Sequence, residues 1–440
     1  MKKYYDFYWE KLDNVGTFYA STTTSYNPNI YRLSVKLKEK VKKEVLESAL
    51  SDTLLAIPSF KVKLVKGFFW YYLERNGAIP IVTEDQYFPF MTINNFDNNY
   101  FLFKVTYFEK RINIDFSHIL TDGTGASHFL ETLVTNYMKI KHPKKVKKDI
   151  VVEPELLSLN EMSVDSFLKY SKMKRNAQKI LKERTGRSYA LLGTNTNKES
   201  SNVIIGTVSI KQLKAITKEK NVTITAFLTA VLVYSIYNEN YKYTRSKDPI
   251  SICIPVNLRK YFPSYSMNNF FSTIMVNIRP AKKSYSFEEI LDIVSNKMKS
   301  ELNESVLLEK FKYFVSLQQN IILRFIPLVL KDLLLRGVSD IISEHGSTTT
   351  LSNLGAISVN DDVREYIDKV DMITYTDAKL PMKIGLCSFG DKLSISFSKN
   401  IADTGIERGF FTYLVSEGID VRITASVNDS DIGDNENEIL

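Results

Sequence analysis

Between residues 112 and 140 the hydrophobic period of the chain changes, and that change limits the fold more than any other feature. Ile112, Ile114 and Phe116 alternate with Asn113 and Asp115, the period-two pattern of a half-buried strand. Phe129, Leu130, Leu133, Val134 and Tyr137 then recur at the spacing of a helix with one buried stripe, so a helix is expected from about Ala126 to Ile140. The loop Ser117 to Gly125 joins the two, and Gly123 and Gly125 are placed to let the backbone turn tightly into the helix. A strand that feeds a helix in this way needs a sheet with helices packed on it, which points to an α/β architecture.

The flanking sequence extends the pattern. Tyr100 to Phe108 reads as a strand paired with Ile112 to Phe116 through the polar turn Glu109-Lys110-Arg111. Asn29 to Leu37 alternates like a strand, Val41 to Leu55 is periodic like a helix, and Phe60 to Val65 with Phe68 to Leu73 reads as a hairpin turning at Lys66-Gly67. A second cycle begins with a strand at Val203 to Ile210 and helices at Lys211 to Lys220 and Thr225 to Tyr237, the latter capped by Thr225 or Thr223. Strands follow at Pro249 to Val256, Ser272 to Ile278, Lys369 to Thr376, Lys383 to Phe389 and Leu393 to Ser398. The expectation is two α/β halves of the α+β type with mixed sheets, spanning 1–160 and 161–427, and an acidic, disordered tail at 428–440. A chain of 440 residues exceeds a single core, in agreement with that division.

Charge and composition exclude several classes. The net charge of +8 is spread along the chain except for a run at Lys139, Lys141, Lys144, Lys145, Lys147 and Lys148. That run reads either as a solvated helix end or as a landing patch for an anionic cofactor or carrier. No nucleic-acid-binding signature is present. Two cysteines, Cys253 and Cys387, are too few for a disulfide framework and sit in apolar runs, so buried reduced thiols are expected. The first residues lack the apolar core of a signal peptide, and a cytoplasmic location is expected. Ile321 to Leu335 is the most apolar helical stretch, but Arg324, Pro327, Lys331 and Asp332 interrupt it. It is expected to be a buried or groove-lining amphipathic helix rather than a span, with peripheral membrane contact as the alternative.

His118 leaves the end of a predicted strand, a frequent place for site residues in open α/β sheets. Imidazole suits proton abstraction near neutral pH, although a structural histidine held by local hydrogen bonds would look the same in sequence. His128 lies off its helix's apolar stripe and is expected to face solvent; His142 falls in the lysine run and His345 in a polar loop. No metal site is expected, because His118 and Asp122 have no third ligand nearby. A phosphate-binding loop and a serine nucleophile elbow are also missing.

The segment Ser117-His118-Ile119-Leu120-Thr121-Asp122-Gly123 resembles the HxxxDG motif of the CoA-dependent acyltransferase superfamily, which includes chloramphenicol acetyltransferase, condensation domains and plant BAHD enzymes. Its context, INIDFSHILTDGTGASHFLETL, is similar to the bacterial alcohol-acetyltransferase-like branch. AIPSFKVKLVKGFFWYYLE, IPVNLRKYFPSYSMNNFFSTIMV, IPLVLKDLL and LSNLGAISV resemble further segments of that branch in the same order. The resemblance implies two chloramphenicol-acetyltransferase-like domains with a tunnel between them, worked by a monomer. It implies His118 as general base, Asp122 as a structural residue paired with an arginine (Arg259 being the candidate), and Gly123 as the turn residue. Ser352 and Asn353 are candidates for oxyanion or substrate contact, although turn chemistry before Gly355 explains them equally. Ser117 stands where condensation domains carry a further histidine, and the plant DFGWG motif is missing, with Ser388-Phe389-Gly390 as a remnant at best.

Three functions are therefore open. Acetyl-CoA or another acyl-CoA would donate to a small or lipophilic alcohol or amine; an acyl-carrier protein would replace CoA in a condensation-like reaction; or the fold would serve binding alone.

Overall fold

The computed structural model describes residues 9–24, 27–85, 93, 98–147, 149–173, 187–194, 202–279, 285–320, 325–376 and 380–425; the tail expected at 428–440 lies outside them. Two mixed sheets organise these residues, and a three-stranded sheet (Trp9–Lys11, Tyr71–Arg75 and Val62–Lys66) stands beside them.

The first mixed sheet has five strands in the order Ile367–Thr374, Ile30–Leu37, Arg111–Ser117, Phe103–Phe108 and Val82–Glu84. The chain reverses between Phe108 and Arg111, where Glu109 adopts a positive φ of 48°. Helices Lys43–Ala56 and Gly123–Lys141 contribute Leu46, Leu50, Phe129 and Leu133 to the same core as Leu33, Ile114 and Phe116. The expected strand at Tyr100 starts only at Phe103, because Asn98–Tyr100 form a turn with positive φ at Asn99 and Tyr100. Phe68 to Trp70, read as strand, form the hairpin's tip instead, with Phe68 and Trp70 exposed. Strand propensity there reflects aromatic side chains, and the backbone turns regardless.

The second sheet has seven strands, ordered Phe271–Ile278, Ile250–Asn257, Thr349–Ala356, Met382–Phe389, Lys392–Lys399, Asn202–Ser209 and Val421–Ala425. Thr349–Ala356 runs parallel to both neighbours, and the other pairs are antiparallel. Its strands show period-two alternation across two buried faces. Ile252, Ile254, Ile274, Leu351, Ile384 and Leu386 share a core with helices Ile224–Glu239, Phe287–Glu301 and Gly405–Ser416. Cys387 and Phe389 belong instead to the core of the first sheet.

The edge strand Ile367–Thr374 follows the second sheet's Thr349–Ala356 in the chain, yet completes the first sheet by pairing with Ile30–Leu37. It also touches the second sheet. Cys387 Sγ donates to Val370 O at 3.4 Å, and Ser394 Oγ to Asp371 Oδ1 at 2.7 Å. A Cβ on Gly385 would stand 2.5 Å from Met372 O, so this crossing requires glycine.

One buried ion cluster crosses the first sheet. Arg32 forks onto Asp115, its register partner, through Nε at 2.7 Å and an NH2 group at 2.8 Å, and reaches Asp85 with its other NH at 2.7 Å. Arg32 and Asp115 are both almost wholly buried. Arg32→Met therefore leaves two carboxylates without their cation and should cost about 3–5 kcal/mol in a urea unfolding experiment. A loss below about 1 kcal/mol would show that the cluster is not a structural requirement.

Candidate active site

Strand Arg111–Ser117 delivers His118 at its end, and the loop after it is fixed by backbone bonds at both of the histidine's peptide groups. His118 N–H donates to Asn29 O at 3.0 Å, and His118 O accepts from Asn269 Nδ2 at 2.9 Å. The ring lies between Tyr19, with centroids 4.7 Å apart and 18° between planes, and Tyr31, 4.5 Å away at 38°. Phe271, on the second sheet, approaches within 6.2 Å. The imidazole therefore occupies the seam between the two sheets.

Burial pushes the imidazole down to about 4; Asp122 favours the charged form, but Lys383 opposes it. The ring is neutral at pH 7. Its Nδ1 is buried without a hydrogen-bond partner among the described residues, although the residue as a whole keeps partial exposure.

Asp122 does not share that seam as a second acid. Its Oδ1 accepts from Thr124 N at 3.0 Å and Gly125 N at 3.2 Å, which makes it the N-cap of helix Gly123–Lys141. Its Oδ2 accepts from Arg259 at 2.7 Å and from Phe270 N at 2.8 Å. The remaining guanidinium groups of Arg259 donate to Ser266 O and Asn268 O, at 2.8 and 2.7 Å for NH2 and 3.2 Å from Nε to Ser266. Loop 266–270 is thus held against the motif by one carboxylate and one arginine. The capping role explains why the helix begins at Gly123 rather than near Ala126.

The two motif glycines act through space rather than through backbone freedom, since positive φ among described glycines occurs at Gly355, Gly390 and Gly418. A Cβ on Gly125 would fall 2.2 Å from Thr121 Oγ1 and 2.4 Å from Met267 O. On Gly123 it would meet only Leu354 Cδ1, at 2.7 Å.

Ser352 sits in strand Thr349–Ala356 opposite Gly385. Asn353 is exposed; its Oδ1 accepts from Gly355 N at 2.9 Å, as in a turn, and its Nδ2 donates to Thr225 Oγ1 at 2.8 Å, 128 residues away in sequence. The other histidines lie elsewhere. His128 is half-buried, with Nδ1 4.0 Å from Glu153, rather than open to solvent. His142 stacks on Tyr366 and meets Glu39 at 2.5 Å. Cys387 is buried, but Cys253 is partly exposed, and both are free thiols. Among the described residues no group of three or more His, Cys, Asp or Glu could hold a metal ion, and no single helix is long and apolar enough to cross a membrane.

Sequence reasoning missed the supports. Asp13 caps helix Asn14–Thr22 through Gly16 N at 2.6 Å and accepts from Asn269 N and Nδ2 at 3.0 and 3.2 Å. Asn269, which holds the His118 carbonyl, lies in the segment SYSMNNFF, whose polar residues read simply as a loop. Thr121 Oγ1 donates to Met267 O at 2.6 Å, and Asn257 Nδ2 to Thr124 Oγ1 at 2.9 Å. Apart from the local Asp13–Gly16 cap, no spacing rule marks such partners, because each of the other bonds crosses more than a hundred residues.

The two mixed sheets with helices packed on them form a mixed α/β fold of the chloramphenicol-acetyltransferase-like type. Residues 106–387 match the family model described as alcohol acetyltransferase, which is well over half of the chain, and the protein belongs to that family. Comparison with curated protein sequences finds no match. Solved structures share the fold at low identity. F. sporotrichioides TRI101 complexed with coenzyme A and T-2 aligns with a TM-score of 0.62 at 11% identity, covering 94% of this chain and 99% of that one. Polyketide synthase associated protein 5 from Mycobacterium tuberculosis gives 0.59 at 13%, covering 92% and 96%. The epimerization domain from the third module of tyrocidine synthetase B gives 0.62 at 10%, covering 93% and 96%.

The glycine geometry separates two substitutions. Gly125→Ala meets a backbone carbonyl that cannot retreat and should lower stability by about 1–3 kcal/mol in chemical denaturation. Gly123→Ala displaces only the end of a leucine and should cost under about 1 kcal/mol. Equal losses would mean that something other than this close approach governs the loop.

Proposed function

We propose that the protein transfers an acetyl or other short acyl group from a CoA thioester to an alcohol, with His118 as general base. The observation that carries this reading is the neutral imidazole held at the seam by backbone bonds from both sides. A general base must be unprotonated and aimed, and the lowered pKa and fixed backbone of His118 support that reading.

In the proposed reaction the unprotonated imidazole nitrogen takes the hydroxyl proton as the acceptor oxygen attacks the thioester carbonyl. The new C–O bond gives a tetrahedral oxyanion. Its collapse breaks the C–S bond, and the leaving thiolate receives the proton held by the imidazolium, so ester and free CoA are the products. Proton transfer of this kind contributes ~10²–10⁴-fold. Asp122 and Arg259 act by position: their contacts are with the loop, the helix start and each other. The family match and the CoA bound to TRI101 support a CoA donor.

A second reading keeps the chemistry and replaces CoA with an acidic carrier protein. Lys144, Lys145 and Lys147 are exposed just beyond helix Gly123–Lys141, whereas Lys139 and Lys141 are engaged with Ile150 O and with Lys40 O and Glu39. Neutralising the three exposed lysines should weaken transfer only if a carrier docks there.

The test is release of free thiol from acetyl-CoA across a panel of alcohols and amines, with His118→Ala assayed beside the native protein. Acceptor-dependent release that drops at least ~10²-fold in His118→Ala is the expected result. Release that persists in the variant would remove His118 from the mechanism.

The pH profile gives an independent check. An imidazole held down at about 4 becomes active as pH rises through that value, well below the usual histidine range. The acid limb of kcat/KM should therefore inflect near 4, with activity flat from about 5.5 to 7. An inflection between 6 and 7 would show an ordinary, solvated histidine at work.

A further inference from the structure

The helix Asn14–Thr22 passes beside His118 and is fastened at each end to a residue that holds the histidine's backbone. At its start, Asp13 Oδ2 accepts from Asn269 N at 3.0 Å and from Asn269 Nδ2 at 3.2 Å, and the same Nδ2 donates to His118 O at 2.9 Å. At its end, Asn29 Nδ2 donates to Thr23 Oγ1 at 3.1 Å, and Asn29 O accepts from His118 N at 3.0 Å. Between these ties Tyr19 stacks on the imidazole. The first turn of the helix also presses on the motif loop, since a Cβ on Gly16 would stand 2.9 Å from Ile119 O.

The two ties differ in what they join. Asn29 directly precedes strand Ile30–Leu37, which pairs with the strand that delivers His118, so the tie at the helix end stays within the first sheet. Asn269 lies two residues before strand Phe271–Ile278 of the second sheet, so the tie at the helix start crosses the seam. Glu10 Oε1 adds a contact in the same direction, accepting from Asn268 Nδ2 at 3.0 Å. Asp13 is 4% exposed, and its other oxygen accepts from Gly16 N at 2.6 Å to cap the helix. Three N–H donors converge on this one short side chain, and each would lose a buried partner if it turned away.

Holding Tyr19 on the ring has a chemical consequence. Tyr19 and Tyr31 take the place of water on the two faces of the imidazole, and burial is the largest influence on its basicity, with Asp122 and Lys383 as the charged groups acting on it. A helix released from Asn269 would let water reach the face that Tyr19 covers, and the anchor of the His118 carbonyl would loosen with it. Orientation and basicity of the ring would then change together.

We infer that Asp13 is a positioning residue for the base: by holding helix Asn14–Thr22 to Asn269 it keeps Tyr19 on the His118 ring and the His118 carbonyl in its anchor. It acts through Tyr19 and Asn269, outside both the motif and the Asp122–Arg259 pair. Its part in catalysis rests on the proposed acyl transfer, whereas its hold on the ring does not.

The test compares the native protein with Asp13→Ser. Serine caps a helix as well as aspartate does, so the helix start is kept, but it has no second oxygen for Asn269. The chain has four histidines, so their ring signals can be followed by NMR, and that of His118 is identified by its loss in His118→Ala. In the native protein this ring should not titrate above about pH 5. In Asp13→Ser its titration should move upward by about one pH unit or more, towards the usual ~6.5. In the same variant kcat for thiol release should fall about tenfold or more, with KM within about twofold of native. Asp13→Asn keeps the size of the side chain but sets an NH2 group against either Gly16 N or the Asn269 donors, and it should change both readouts in the same direction should the serine variant not fold. A folded variant whose melting temperature falls while ring titration and kcat stay native would overturn the inference, because Asp13 would then serve stability alone. Native thiol release that proves independent of His118 would defeat the acyl-transfer reading, and the ring titration would still decide whether Asp13 holds the imidazole.

Discussion

A single carboxylate joins the parts of this molecule that must meet. Asp122 closes the first turn of the motif helix with one oxygen and binds Arg259 and the Phe270 amide with the other, so loop, helix and second sheet converge on it. Both side chains are nearly out of solvent, at 6% and 9% exposure. Removing two charges from water is costly, and only dense hydrogen bonding offsets the loss. Arg259 meets that requirement because its Nε and both NH2 groups all donate in fixed directions. Lysine would bring the charge without the fork.

That clasp matters because His118 has few contacts of its own. Its ring is held by aromatic stacking, and its backbone by Asn29 on one side and Asn269 on the other. Asn269 belongs to the loop that Asp122 and Arg259 hold, so the histidine's position depends on an ion pair it does not touch. The stacking tyrosines also remove water from the imidazole, which keeps it neutral at the expense of intrinsic basicity. A proposed base of this kind depends on proximity and orientation to the acceptor more than on proton affinity.

Much of this was legible before the structure, for identifiable reasons. Strand Arg111–Ser117 and the helix after it could be read because each presents one apolar face and the period changes between them. The helix Ile224–Glu239 was legible with Thr225 or Thr223 as its cap, and Thr223 takes that place. The edge strand Ile367–Thr374 was legible as a strand, but nothing in its alternation says that it joins the first sheet. The aromatic tip at Phe68 to Trp70 read as strand because aromatic residues signal burial in most contexts, and here Phe68 and Trp70 face outward. Asn353 illustrates the converse: its place before Gly355 allowed a site role or a turn role, and its Oδ1 accepts in the turn while its Nδ2 reaches Thr225 in the second half of the chain. Supports such as Asp13, Asn269 and Thr121 were silent because their partners are distant in sequence and their residue types are common in loops.

The measurement that tests this account most directly is the steady-state kinetics of Arg259→Ala, taken on protein shown to be folded by circular dichroism. If the clasp aims the base, kcat should fall by about 10²-fold while the KM for the acceptor changes little, because substrate contacts remain and orientation is lost. A folded Arg259→Ala enzyme with native kcat would contradict the account, and His118 would then be held by its own strand and stacking tyrosines alone.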